Sequence, residues 1–590
     1  MAVSTVWRRI ALLLAVLFAL MLSGCGSAGQ SVISVFPLPG SRLASSQTQI
    51  VVRGIPARRL SSITVTGSQS GPHSGRLLTD SDHRGESFLP AKPFAAGETV
   101  TVRLSAPGLA RGRKSWHFFV AEAAGNPPSR PLPPAPRLPG DVLVFHSRPD
   151  LDPPAVEIVK NASRSALGDV FITPQQGPLQ NGAMIVSPQG ELMWFKPVPA
   201  GDLAANVQVQ HYQGRPVLTW WQGYSGAGLG FGEDVIVDSR YRQIAVVRAA
   251  NGLSADLHEF ELTPHGTALI TAYYPVFWDA TSIHQSRHML VLDSVVQEID
   301  VKTGLVLFQW DSLDHVPLSD SYEPIPNDPG QPYDYFHINA IDEDDDGNLI
   351  ISARNTWAAY KVNLVSGQTI WTLGGKHSTF KLAAGANFAF QHDVRVRADN
   401  DRMVTVFDDG AGPPTVHKQS RGLTLRLDTA QRTATAVKVD QHPPALLTSF
   451  EGNLQQLANG DQFIGWGEQP YFTEFNPQGH VVFEGRFVDA NSSYRAYRFP
   501  WTATPITPPA IAASTSGSST IVYVSWNGAT TVAAWRILAG PSDGALSPAS
   551  TVGRQGFETQ AVIPAAGFVA AQALDAHGRV LSVTPTISPT

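Results

Sequence analysis

The chain has 590 residues, with 43 Lys+Arg against 49 Asp+Glu and a formal charge of −6, a balance that argues against binding nucleic acid through its phosphates. Its one cysteine rules out an intrachain disulfide framework and any zinc site built on several thiolates. A hydrophobic content of 43% can fill large cores, and the length predicts several domains, or fewer if one is a large barrel or propeller.

The chain opens with Arg8 and Arg9, followed by the apolar run Ile10 to Leu22. That run is short for a membrane span and suits a secretory signal. It ends Leu22-Ser23-Gly24-Cys25, which resembles the bacterial lipobox. The expectation is a lipoprotein signal peptide over 1–24, with Cys25 lipidated and the protein exported and anchored to a bacterial membrane, on the cell surface or the periplasmic face. No other segment reaches transmembrane length.

Residues 25–125 read as a tether and then a small β-sandwich. Its short β runs (Gln49 to Val52, Ile63 to Thr66, Thr99 to Leu104, Trp116 to Val120) alternate with Gly, Pro and Ser turns. A proline-rich linker follows over 126–140. After Pro508-Pro509 the same short-strand pattern returns over 509–590, with Ile521 to Trp526 and Trp535 to Leu538, and predicts a second, fibronectin-like sandwich.

The middle, 141–508, repeats a unit of four strands around Asx/Gly turns. Three units open alike, at Leu257-His258-Glu259-Phe260, Phe336-His337-Ile338-Asn339 and Gln391-His392-Asp393-Val394. A fourth, Gly452-Asn453-Leu454-Gln455, has the same shape without the His, and two earlier segments near 168–195 and 207–247 fit more loosely. Four strands per unit at a spacing of about 50 to 80 residues, without long helical patterns, predict a propeller. The expected fold is therefore all-β, a six-bladed β-propeller flanked by N-terminal and C-terminal immunoglobulin/fibronectin-like β-sandwiches.

In a propeller the first strands converge on a central channel, so His258, His337 and His392 should meet there, or else hydrogen-bond neighbouring blades structurally. Arg354 ends the apolar run Leu349-Ile350-Ile351-Ser352-Ala353. A buried guanidinium needs an anion or a fork of acceptors, the bland alternative being a pairing with Asp393. Asn339, two residues beyond His337, shares its face and can donate to an oxyanion. Such a cluster suits a small tetrahedral anion, which a neutral imidazole can attack.

The runs Asp334-Tyr335-Phe336-His337-Ile338-Asn339, Gly347-Asn348-Leu349 through Arg354, and Trp371-Thr372-Leu373-Gly374-Gly375 closely resemble bacterial arylsulfotransferases. So do Phe390-Gln391-His392-Asp393, Val406-Phe407-Asp408-Asp409-Gly410, Ser420-Arg421-Gly422-Leu423 and Gly465-Trp466-Gly467. The resemblance runs from about 165 to 505, in order, and the flanking sandwiches look like those of a lipoprotein subfamily with extra domains. It implies a propeller that moves sulfate from a phenolic sulfate ester to a phenol through a sulfated histidine, without a nucleotide donor. By motif, His392 would be the nucleophile. His337, Asn339 and Arg354 would cradle the sulfuryl oxygens, and His258 would assist the oxyanion or the leaving phenol. Trp357, Phe390, Trp220 or Tyr224 could wall the aryl pocket. The implied partners are a small aryl sulfate donor and a phenolic acceptor, with no cofactor and no nucleic acid; the oligomeric state is left open.

Other signals fail on chemistry. Asp342-x-Asp344-x-Asp346-Gly347 opens like a calcium loop but has Ala353 where a bidentate Glu is required. Gly540-Pro541-Ser542-Asp543-Gly544 has no helix after it, so no nucleophile elbow is expected. Leu373 to Ser378 lacks the first glycine of a phosphate loop, and His284-x3-His288 is a poor metal pair in a strand-like context. The competing reading is a non-catalytic, lipid-anchored propeller that scaffolds partners. A quinone-dependent dehydrogenase lacks a recognisable calcium and quinone constellation.

Overall fold

The computed structural model describes residues 33–590 apart from 57, 107–112, 129–132, 134–135, 178, 227 and 398–399. The predicted signal segment and Cys25 lie outside the described residues. Among the described residues the protein is all-β, with no α-helix and only three short 3-10 turns. None of its helices is long and apolar enough to cross a membrane.

Two strand types build the sheets. Thr99–Ser105 alternates buried and more exposed residues, as expected for a strand with one face on a core. Gly182–Val186 and Ala358–Val362 are buried throughout, because each lies between two strands and is covered on both faces. Near the N-terminus, one four-stranded sheet contains Ser34–Phe36, Ile50–Arg53, Gly85–Pro90 and Gly75–Thr79. A second holds Gly71–His73, Ser62–Gly67, Thr99–Ser105 and Arg113–Phe119. They share one core that includes Ile50, Val52, Phe88, Val102, Trp116 and Phe118. At the C-terminus, three- and four-stranded sheets over 510–583 enclose a core around Val522, Trp535, Ile537 and Val569.

Between them the chain folds as consecutive antiparallel meanders. Asp169–Pro174, Gly182–Val186 and Leu192–Pro197 form the first sheet, completed by Ser493–Phe499 from far downstream. An eight-stranded sheet follows. It comprises two meanders, from Leu203–Tyr212 to Gln243–Val247 and from Ala255–Leu262 to Val306–Asp311, joined by the single pair Gly232–Ala255. Next come Ile338–Glu343 to Thr369–Gly374, His392–Arg397 to Thr433–Asp440, and Asn453–Gln456 to Val481–Phe487. The last is extended by the early strand Val156–Asn161. Both ends of this region are therefore sewn into sheets made from the other end.

Asparagines tie successive edge strands together. Asn206 Nδ2 donates to Leu257 O at 2.8 Å, Asn339 Nδ2 to Gln391 O at 2.7 Å, and Asn453 Nδ2 to Ala496 O at 2.9 Å. Below them lies a buried ionic knot. Arg495, fully buried, meets Glu259 at 3.1 Å and Asp393 at 3.7 Å, and its Nη2 donates to Asn339 O at 2.7 Å. Arg395 reaches Glu259 at 2.5 Å and Asp393 at 2.9 Å. Asp393 is thus engaged by Arg395 and Arg495, and the alternative pairing of Arg354 with Asp393 is not formed.

Candidate active site

Three imidazoles stand above this knot, each held by a carboxylate at Nδ1. His258, within Ala255–Leu262, meets Asp256 Oδ2 at 2.5 Å. Asp256 is fixed in turn by Gly230 N at 2.5 Å and Thr271 Oγ1 at 3.2 Å. His337, just before Ile338–Glu343, is bonded to Asp334. His392, the first residue of His392–Arg397, meets Asp409 at 2.8 Å. Anchoring Nδ1 fixes ring orientation and tautomer and leaves Nε2 for chemistry.

The rings of His258 and His337 meet edge to face, with centroids 4.8 Å apart and planes at 87°. Arg354 follows Leu349–Ala353, and its backbone N–H donates to His337 O at 2.9 Å, which places the guanidinium beside the same pocket. Nη1 donates to Asn355 Oδ1 at 2.7 Å and Nη2 to Ser449 O at 2.8 Å, while the buried Nε has no partner. A buried, unbonded N–H on a cation calls for an acceptor. Asn339 Oδ1 is likewise buried and unbonded, whereas its Nδ2 holds the Gln391 carbonyl directly before His392.

Electrostatics separates the histidines. Burial holds the His392 imidazole well below its ordinary value, and the neighbouring Arg354 guanidinium presses it further down. His392 is therefore neutral, with its proton on Nδ1 facing Asp409. Its Nε2 accepts the Glu451 N–H at 3.3 Å, as a lone pair would. Burial also lowers His337, with Asp334 opposing that shift. Burial raises Asp409 well above the carboxylate range, with Arg354 opposing.

The pocket wall is aromatic. The guanidinium of Arg354 lies 4.8 Å from the Phe390 ring centre, Phe390 meets Trp357 at 5.0 Å, and Trp357 stacks on Tyr322 at 3.6 Å. Of the four expected aryl-pocket aromatics, Trp357 and Phe390 thus flank Arg354. Trp220 instead packs against Trp194 and donates to Gln222, and Tyr224 stacks on Phe231. His337, Trp357, Phe390, Asp393 and Glu451 all adopt left-handed backbone angles between 50° and 69°. Such strain at non-glycine residues gathers at functional sites.

The structure gathers His258, His337, Arg354 and His392, together with Asn339, in one largely buried cluster. The three histidines are not strictly equivalent in their units. His258 lies inside a strand, His337 precedes one and His392 starts one, and their carboxylates come from different sequence offsets. Sequence reasoning missed Asp256, Asp334, Asp409, Glu451 and Tyr322 as site residues. Asp334 and Asp409 stood inside the quoted motifs, and an Asp two or three residues before a His was a usable signal. Glu451 offered none, because it reaches His392 through its backbone. Among the described residues no group of three or more His, Cys, Asp or Glu could hold a metal ion. His288 meets Glu122 at 3.1 Å and stacks on Phe277 at 4.1 Å.

The protein is all-β, and three His–Asp pairs are grouped with an arginine whose Nε lacks an acceptor. Residues 208–488 match the model of the arylsulfotransferase (ASST) family, and this match supports a relation to that family. That family acts in general on aryl sulfates and phenols, and the match supports sulfotransferase activity in general. No curated protein matches the chain. Among solved structures it is similar to a protein of unknown function from Bacteroides caccae, at 14% identity and a TM-score of 0.34, covering 56% of this chain and 98% of that one. It is also similar to virginiamycin B lyase from Staphylococcus aureus, at 10% identity and a TM-score of 0.28, covering 62% and 94%. A third similarity is to the dihydro-heme d1 dehydrogenase NirN, at 8% identity and a TM-score of 0.28, covering 58% and 80%.

Proposed function

We propose that the protein transfers a sulfuryl group from a phenolic sulfate ester to a phenol through a sulfohistidine at His392. The observation that carries this reading is the neutral, Asp409-anchored His392 imidazole in a pocket shared with His258, His337 and an arginine whose Nε lacks an acceptor. In the first half-reaction the Nε2 lone pair attacks sulfur, the N–S bond forms and the S–O bond to the aryl group breaks. Arg354 and the Nε2 atoms of His258 and His337 hold the equatorial oxygens, where a preorganised cation is worth far more than in water. In the second half-reaction a phenol oxygen attacks sulfur, and the electron pair of the N–S bond returns to Nε2. Trp357 and Phe390 flank the aryl ring. Asn339 keeps the backbone ahead of His392 in place.

The same reading makes the middle region a six-bladed propeller, closed by Ser493–Phe499 pairing with Asp169–Pro174, between a tether and sandwich over 25–125 and a second sandwich over 509–590. It places the protein on a bacterial membrane through lipid at Cys25, which a mass spectrum of the membrane-extracted chain would test. The central experiment is turnover of a chromogenic aryl sulfate by the purified chain. Phenol-dependent release of the chromophore that disappears in His392→Ala, with the thermal transition preserved, supports the function. Absence of turnover across a panel of donors would point instead to a scaffold.

A further inference from the structure

Glu451 lies two residues before the strand Asn453–Gln456 and touches the reacting nitrogen itself, its N–H donating to His392 Nε2 at 3.3 Å. It is held there in a left-handed turn, at φ 69°, by glycines on two sides. Gly452 follows at φ 100°, where a Cβ would strike Phe407 at 2.3 Å, and a Cβ on Gly467 would meet Glu451 Cβ at 3.0 Å. The Gln175 amide satisfies both its atoms when its nitrogen donates to Glu451 Oε1 at 3.2 Å and its oxygen accepts from Tyr494 N at 2.7 Å. That leaves Glu451 Oε2 buried with no partner. The titratable groups acting on this carboxyl are Glu468, next to Gly467, and Tyr494, while His392 meets the backbone N–H of the same residue.

We propose that Glu451 is the general acid–base of the transfer, giving a proton to the leaving phenolic oxygen and taking one from the incoming phenol. This rests on the sulfuryl-transfer reading above. As Nε2 bonds to sulfur and the S–O bond breaks, its electron pair goes to the aryl oxygen, which takes the Oε2 proton. The resulting Glu451 carboxylate accepts the acceptor's hydroxyl proton as that oxygen bonds to sulfur and the N–S bond breaks. Protons and charge balance over the cycle, and Glu451 ends protonated. Burial, with Glu468 adding to it, pushes the carboxyl up to about 8, so it carries its proton at neutral pH. The substrates this favours are esters of weakly acidic phenols, whose oxygen needs a proton to leave.

The test compares phenyl sulfate with 4-nitrophenyl sulfate, whose phenol leaves without help, in the full-length wild-type chain and in Glu451→Gln. The expected result is a loss of ~10²-fold or more in kcat/KM for phenyl sulfate and a much smaller loss for 4-nitrophenyl sulfate. Should Glu451→Gln fail to fold, the wild type alone decides: kcat/KM for phenyl sulfate must fall above pH about 8 while that for 4-nitrophenyl sulfate stays flat. Equal losses for both donors, or parallel pH profiles, would overturn the role of Glu451 while leaving sulfuryl transfer intact. A wild-type chain that turns over neither donor would overturn both.

Discussion

At the residue scale the decisive device is the aspartate carboxyl group bonded to Nδ1 of each imidazole. Asp409 accepts the Nδ1 proton of His392 at 2.8 Å, and this keeps the lone pair on Nε2. Asp409→Asn can present its amide N–H to Nδ1 and favour the wrong tautomer. Sulfuryl transfer should then fall by ~10²–10⁴-fold, as tautomer errors do in other His–Asp systems. Steady-state rates on an aryl sulfate, taken beside the thermal transition, check this; an unchanged rate would deny Asp409 its orienting role. The imidazoles and Arg354 were legible in the sequence because they recur at unit openings beside apolar runs. Asp256 and Asp334 stand two and three residues before their histidines, whereas Asp409 reaches His392 from just past another strand, 17 positions on. Asn339 was read as an oxyanion donor, yet its Nδ2 binds Gln391 O, a contact that needs the neighbouring sheet to be in place.

At the element scale, strand existence and the four-strand rhythm followed from apolar alternation and Asx/Gly turns. Long-range closure did not. Nothing local in Ser493–Phe499 says that it pairs with Asp169–Pro174, more than 300 residues away, because a strand's partner is set by tertiary packing. That strand also carries Arg498, buried against Glu474 at 2.6 Å. Removing one partner of a buried pair strands the other, so Arg498→Ala should cost ~3–5 kcal/mol. The Glu474 carboxyl is pushed up to about 7 by burial, so protonation below that pH relieves part of the loss. Denaturant unfolding of the variant at pH 5.5 and 8.5 measures both effects. A larger loss at the lower pH would contradict the argument.

At the scale of the whole molecule, several carboxyls share one direction of shift, Asp293 fully buried and the others half-buried. Burial pushes Glu451 and Glu261 up to about 8, Asp293 to about 7, and Asp342 and Asp169 to about 6. The folded protein therefore keeps protons that the unfolded chain, with ordinary carboxylates near 4, has already released. Their stabilisation is complete below that unfolded value and is lost as pH rises through the folded values. His337 and His392, lowered by burial, act in the opposite sense, but their gain is complete once pH exceeds the unfolded imidazole value of about 6.5. Between pH about 7 and 8.5 only the carboxyl effect remains, so the melting temperature should fall over that range. Glu451→Gln should flatten part of the fall. A melting temperature that rises from pH 7 to 8.5 would contradict both statements.

The late closing strand also bears on how the protein is made. Arg495, which neutralises Glu259 and Asp393 beneath the imidazoles, emerges from the ribosome after all three histidines and after Glu451. Until Ser493–Phe499 is synthesised, the nascent chain holds two acids with no guanidinium from that strand and an open edge at Asp169–Pro174. A chain cut short before that strand, whether by premature termination or by proteolysis, retains every proposed catalytic residue and lacks the floor that positions them. Synthesis of that strand is then the event that completes the cluster, and fragments that end before it are expected to be inert.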